Sequence, residues 1–364
     1  MINKTENEIM RLWNITNKTE IIPLVSITCV AYNHEQYIEK TLDSFLMQET
    51  TFPFEILIHE DVSTDRTKAI IETYEKKFPN IVKPLYQKEN QYSKGFNPMA
   101  LLYPKVQGEF MAFCDGDDYW TDREKLQIQI EEMSKYPDID MSCHYSSKLF
   151  HNVECDDFSK RSHTKLLTMK EAILYDGNLA PTSSLVFRSR IIKNLPNWIY
   201  TAPFGDYPMQ VFGSKNAGSL YIDRKMSVYR IGEIGSWTTG CNNTEQHFKR
   251  IGFIKKFLLS ANEITNYEFE KYFLYIIQKN NFNYMKNLSF SHQKREEIFN
   301  KNSETFSLKQ KILWHLIYKN ITINWSFSYF LKNHLKQFIQ KWKVWKYTTY
   351  NYTLTQINVK MQTK

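Results

Sequence analysis

Three carboxylates crowd one short stretch of this chain. In "FMAFCDGDDYW" (110–120) an apolar run ends on Asp115, Asp117 and Asp118, and two aromatics follow. Like charges held this close repel, so a cleft that gathers them needs a counter-charge. A hard divalent cation, Mg2+ or Mn2+, with oxygen ligands and a bound diphosphate supplies one. Two plainer readings stand beside it: a solvated acidic turn, or Asp117 or Asp118 capping the next helix, with Thr121 as a rival cap. An EF-hand is excluded, because the twelfth position counted from Asp115 is Leu126 rather than Glu.

Other nucleotide and nucleophile devices are missing. No GxGxxG follows the first apolar strand, and neither GxxxxGK[ST] nor GxSxG occurs. With 11 glycines in 364 residues, a glycine-rich phosphate loop is not this chain's method. A further acid stands apart: "APFGDYPMQVFGSKNAG" (202–218) puts Asp206 directly before a helical pattern, whose positive end favours an ionised carboxylate. Read on its own, Asp206 is either a general base or an N-cap.

The elements that would position these residues alternate. "PLVSITCVAYN" (23–33) reads as a strand buried on both faces, and "HEQYIEKTLDSFLMQ" (34–48) as an amphipathic helix. "FEILIHED" (54–61) is the next strand, followed by a helix opening on a Ser63 or Thr64 cap and ending before Pro79. Strands at 81–87, 108–115 and 139–150, with a helix at 123–136, complete a βαβαβ order. That order predicts an α/β fold with a mainly parallel, doubly wound sheet. In such sheets ligands sit beyond the carboxyl ends of the strands, where Tyr32-Asn33, Glu60-Asp61 and the Asp115 cluster fall.

Composition sets the frame. Hydrophobic residues make up 42% and charged residues 24%, enough apolar surface for a core. No stretch approaches the roughly 20 apolar residues of a membrane span, and the polar start does not read as a secretory signal. The five cysteines lack CxxC spacing and read as reduced, which favours the cytosolic side. From Arg250 onward 19 Lys and Arg face 6 Asp and Glu, against 28 and 33 before it. The expected division is an extension at 1–21, a sheet domain at 22–249 and a helical, basic, aromatic region at 250–364. Within the last, "LKNHLKQFIQKWKVWK" (331–346) sets Leu331, Leu335, Phe338, Ile339, Trp342 and Trp345 on one arc flanked by lysines. It suits peripheral contact with anionic lipid at the inner face of a membrane, or docking on the domain. No motif supports nucleic-acid binding.

The blocks "VSITCVAYNHEQYIEKTLDSFLMQ", "FEILIHEDVSTDRT", "YQKENQYSKG" and "GEFMAFCDGDDYWTDREKLQ" together resemble family 2 glycosyltransferases of the GT-A fold, especially bacterial surface-polysaccharide enzymes. The resemblance spans about residues 23–240. It implies that Val30 and Tyr32 pack around the nucleotide base and that Asp61 hydrogen-bonds it, typically uracil. Glu60 stands where many members have an aspartate. Asp115 and Asp117 correspond to the DxD element, with Asp117 a ribose contact and Asp117 or Asp118 the metal ligand. Asn90 and Lys94 fall in a loop lining the donor pocket, and Arg230 or His247 would reach the diphosphate.

The resemblance also implies an inverting transfer from a nucleotide sugar, UDP-linked by preference, to a glycan or lipid-linked acceptor. Asp206 matches the family's base, with Glu233 and Glu245 as rivals. "APTSSLVFRS" (180–189) matches an acceptor-side block, offering Thr182, Ser183 and Ser184, and Trp237 in "YRIGEIGSWTTG" (229–240) would stack on a sugar or fill the core. Two other classes are a sugar-phosphate nucleotidyltransferase, whose Gly- and Arg/Lys-rich first loop is missing here, and a non-catalytic relative, which the intact acids oppose.

Overall fold

The computed structural model describes residues 4–14, 21–150, 153–156, 160–232, 244–285 and 291–315, with only the backbone given for 244–251. Glu233, Trp237, Cys241 and the 331–346 segment lie outside the described residues, as do the side chains of Glu245 and His247. The strands are β1 (Val25–Ala31), β2 (Phe54–Glu60), β3 (Val82–Tyr86), β4 (Phe110–Phe113), β5 (Tyr119–Trp120), β6 (Met141–Phe150), β7 (Val153–Asp156), β8 (Lys165–Leu167), β9 (Val186–Arg188) and β10 (Ser219–Ile231). The first seven helices are α1 (Glu6–Leu12), α2 (Ile38–Leu46), α3 (Thr67–Lys77), α4 (Pro98–Leu102), α5 (Lys125–Ser134), α6 (Met169–Leu174) and α7 (Asp206–Gly213). α8 (Thr244–Ile264), α9 (Glu270–Met285), α10 (His292–Asn302) and α11 (Leu308–Leu313) follow.

One sheet runs β3-β2-β1-β4-β9-β6-β10-β5, with β7 paired to β6 and β8 to β10. Its first half is parallel, as the alternating pattern predicts: β1 pairs with β2 and β4, and β2 with β3. Its second half is mixed. β9 inserts antiparallel between β4 and β6, while β6 and β10 are parallel. The three-residue β9 follows a 3-10 turn at Thr182–Ser184, too short a stretch to show a strand period in sequence. β1 and β2 are buried along almost their whole length, the signature of strands covered on both faces.

α2 buries Ile38, Leu42, Phe45 and Leu46 against β1 and the rear of β5. The Ser63 or Thr64 cap expected for α3 is not formed. α3 starts from Arg66 without a side-chain cap, and Ser63 and Thr64 bond to Asn33 instead. Neither Asp117, Asp118 nor Thr121 caps α5, which starts at Lys125 after Glu124.

The chain separates into two compact units, residues 1–277 and 278–364. The boundary expected at 249 falls inside α8, whose Phe257, Leu258 and Ala261 share a core with Tyr207, Val211 and Phe212 of α7. In the second unit Phe282, Met285, Phe299, Phe306 and Trp314 form a separate small core. Cys29, Cys114 and Cys143 are buried free thiols and Cys155 is exposed. No described helix is long and apolar enough to cross a membrane.

Candidate active site

The acidic turn is pressed against β1. Leaving β4, the Cys114 amide donates to Thr28 O (3.1 Å) and the Gly116 amide to Val30 O (2.9 Å). The Asp118 amide then donates back to Asp115 O at 3.1 Å. From α2 the Thr41 hydroxyl reaches the carbonyls of Gly116 (3.0 Å) and Asp118 (2.6 Å). A Cβ on residue 116 would lie 2.9 Å from Val30 O and 2.7 Å from His34 Nδ1. Only glycine fits that approach, so the middle letter of Asp-Gly-Asp is fixed by packing rather than by chemistry.

The turn leaves charge unsettled. Asp118 is 1% exposed; its Oδ1 accepts from the Arg230 amide (2.8 Å), and its Oδ2 is buried with no partner. Burial, then repulsion from Asp117 and Asp115, pushes its carboxyl well above the usual range. Asp115 is pushed up to about 8 by burial first, then by Asp117 and Asp206. Asp206, far away in sequence, is thus near enough for its charge to act on Asp115. Tyr229, on β10, looks onto all four acids: burial, then Asp118, Asp206, Asp117 and Asp115, keeps its phenol protonated.

Asp206 opens α7 but does not cap it. Gly205 is the N-cap, and no side chain fills that role. The capping alternative for Asp206 is thereby removed, leaving a half-buried carboxylate at the positive end of a helix.

Arg230 holds the turn from behind. Its guanidinium lies between the rings of Tyr37 (4.7 Å) and Tyr119 (4.8 Å) and donates to Asp117 O. Its side chain thus fastens the acidic loop. Lys40 covers the other side of Tyr119, at 3.6 Å.

On the nucleotide side the polar atoms are spent on loops. The Ser63 amide donates to Glu60 Oε1 (2.7 Å), while the amides of Gln91 and Tyr92 donate to Asp61 Oδ1 (2.6 Å) and Oδ2 (3.0 Å). Asn90 Nδ2 donates to Asp61 O (2.9 Å), so Asn90 pins the loop. Lys94 pairs with Glu89 at the exposed tip. Val30 is half-buried, and Tyr32 stands 41% exposed at the strand end, where a flat base could stack. Val62 next to Asp61 has φ +62°, costly for a β-branched residue and found where surroundings force it. Beneath lies buried His59, lowered to about 4 by burial and so neutral, its Nε2 4.0 Å from Asp61 Oδ1.

The acceptor-side serines turn inward. Ser183 and Ser184 are fully buried; Ser183 Oγ bonds Ser227 Oγ (3.2 Å) and Ser184 Oγ donates to Pro181 O (2.7 Å). Ser183 thereby links to β10 and Ser184 closes its own 3-10 turn, so both hydroxyls are engaged inside the core; Thr182 alone of the three is half-buried. Sequence reasoning missed Thr41, Tyr229 and Asn97. Only the position of Tyr229 beside Arg230 at the end of a long strand hinted at a role.

Among the described residues no three His, Cys, Asp or Glu side chains group as a metal cage. The fit is of another kind. A buried carboxylate oxygen without a partner, beside acids that repel it, suits a Mg2+ or Mn2+ ion shared with a ligand's phosphate oxygens, as such ions use one or two carboxylates plus phosphate.

Comparison with known proteins points the same way. Residues 26–185 match the family model described as glycosyl transferase family 2. An uncharacterized Mycobacterium tuberculosis protein is 28% identical over 234 residues, covering 63% of this chain and 64% of that protein's length. The Staphylococcus aureus poly(ribitol-phosphate) β-N-acetylglucosaminyltransferase TarS is 35% identical over 97 residues, 26% of this chain and 16% of TarS. The crystal structure of TarS 1-349 with UDP-GlcNAc superposes at TM-score 0.54 and 22% identity, covering 80% of this chain and 78% of that one. A Pyrobaculum calidifontis mannosyltransferase in complex with GDP-Man and Mn2+ superposes at TM-score 0.50 and 13% identity, with 85% of both chains covered. These likenesses establish the GT-A fold.

Proposed function

We propose that the protein moves a sugar from a nucleoside diphosphate donor, UDP-linked by preference, to a hydroxyl of a glycan or lipid-linked glycan in surface-polysaccharide synthesis, a reading supported by the match of residues 26–185 to glycosyl transferase family 2. The observation that carries this reading is the buried turn of Asp115, Asp117 and Asp118 at a strand end, with Asp118 Oδ2 unpartnered and Asp206 within electrostatic reach of Asp115. Asp117 and Asp118 are the residues that would hold a divalent cation together with the donor's diphosphate. Bound there, the cation offsets charge growing on the departing nucleoside diphosphate.

In the transfer itself the acceptor oxygen bonds to the anomeric carbon while the bond from that carbon to the diphosphate oxygen breaks, the leaving group taking the electron pair. The acceptor's proton passes to Asp206, at the start of α7. Attack from the side opposite the diphosphate inverts the anomeric configuration. Tyr32 and the Asp61-anchored loop frame the base, and Arg230 and Thr41 hold the acidic turn still.

The test is calorimetry with UDP, with and without Mn2+, together with a coupled assay of UDP release from UDP-GlcNAc. Asp206→Asn is expected to retain UDP binding and lose turnover by about 10²- to 10⁴-fold. Near wild-type turnover in that variant removes Asp206 as the base. Failure of UDP to bind in the presence of Mn2+ removes the donor site.

A further inference from the structure

The loop spanning 90–97 is tied down at both ends. At its start Asp61 accepts from the amides of Gln91 and Tyr92, and Asn90 reaches back to Asp61 O. At its end stands Asn97, 4% exposed and surrounded by partners from another part of the chain. Its amide donates to Tyr200 O (2.8 Å) and its Nδ2 to Ile199 O (3.3 Å), while its Oδ1 accepts from Met99 N (3.2 Å) and caps α4. Ile199 and Tyr200 belong to the 3-10 turn Asn197–Thr201, just upstream of Asp206. The Asn97 amide also abuts Gly205, where a Cβ would lie 3.0 Å from Nδ2.

This contact matters because it meets the chain at Gly205, the N-cap of α7, which offers no capping side chain of its own. We propose that Asn97 is a positioning residue that ties the donor-side loop to the segment carrying Asp206, and so sets where that carboxylate stands relative to the donor. The Nδ2 bond to Ile199 O in this link is buried, where an unmade hydrogen bond is costly and the geometry correspondingly well defined. The inference rests on the reading of Asp206 as base and adds the device that aims it. Displacements of about 1 Å in such an arrangement cost on the order of 100-fold in rate.

Asn97→Ala is therefore expected to lower kcat for UDP release from UDP-GlcNAc by on the order of 10- to 100-fold. The affinity for UDP in Mn2+ should stay within about twofold, because the binding side of the loop is still held by Asp61. A loss of structure alone would instead reduce binding-competent protein and turnover together. Gly205→Ala approaches the same contact from the other side and should also lower kcat with UDP affinity kept. In the double variant Gly205→Ala should add nothing, since the amide that its Cβ would strike is gone. Should Asn97→Ala fail to fold, Gly205→Ala carries the test alone. An unchanged kcat in the folded variant, an equal loss of UDP affinity, or additive effects in the double variant overturn the inference. Asp206→Asn, run alongside, separates the two readings. If it is active, the base reading falls and this inference with it; if it is inactive while Asn97→Ala is fully active, this inference alone falls.

Discussion

The two rims of the site are built on opposite principles. On the β1–β2 side the loop polar groups are largely paired within the chain, with the ring nitrogens of buried His59 and His34 Nδ1 as the exceptions. Asn33 Oδ1 accepts from the Thr64 amide (2.8 Å), Asp65 Oδ2 from the Glu35 amide (3.0 Å), and Glu35 Oε2 from the Arg66 amide (2.9 Å). These reciprocal bonds lock the loops after β1 and β2 together. Around the β4–β10 side polar atoms are left over: Asp118 Oδ2, Lys125 Nζ, Gln129 Oε1 and His144 Nε2 are all buried without a hydrogen-bond partner. A closed network makes a rigid wall, whereas leftover groups mark where a ligand or ion would supply what the chain does not. Substitutions should therefore cost stability on the first rim and function, not stability, on the second.

Asp118→Asn tests that contrast most sharply. In Mn2+ the variant should bind UDP at least ~10-fold more weakly by calorimetry. Its melting temperature should hold or rise, since a buried carboxylate repelled by two neighbours has been removed. A lower melting temperature with unchanged UDP binding would make the two rims alike.

Lys125 sharpens the same point. Its amine lies 4.0 Å over the Trp120 ring, fully buried, and burial lowers its pKa to about 7, with Cys114 opposing weakly. Below that pH the folded chain carries a buried charge. Between there and the unfolded value of about 10.4 only the unfolded chain holds the proton, so stability rises with pH across this window. Lys125→Met should be more stable than the parent by about 2 kcal/mol or more at pH 6, with the advantage shrinking toward pH 10. Denaturant melts at the two pH values measure it, and a gain independent of pH would exclude the buried charge as its source.

The smallest effect is expected on the paired rim. Asn33 has φ +54°, which asparagine tolerates better than most residues, and its side chain holds Thr64. Asn33→Ala should lose about 1 kcal/mol of stability in a urea melt. A variant as stable as the parent would show that the network is ornamental.

Much of this arrangement was legible before any coordinates. The buried strands at 25–31 and 54–60 were announced by unbroken apolar runs, and the acidic turn by its position at the end of another. The inward serines were not legible. "TSS" after a proline reads as a polar turn, and nothing local says that Ser183 Oγ will meet Ser227 from a strand far along the chain. Nor was the setting of Arg230 legible: Tyr37 and Tyr119, distant in sequence, enclose its guanidinium.

What the sequence determined by itself was the likeness to a family, the parallel half of the sheet and the presence of acids at strand ends, because these depend on short-range patterning and on the order of blocks. Tertiary structure alone decided which polar groups face a ligand and which face each other. It brought Asp206 and Tyr229 to the Asp115 turn, gave both oxygens of Asp61 to a loop and set Asn97 against Gly205. Those outcomes depend on contacts between segments tens of residues apart, and a hydrogen bond of that kind leaves no periodicity along the chain to read.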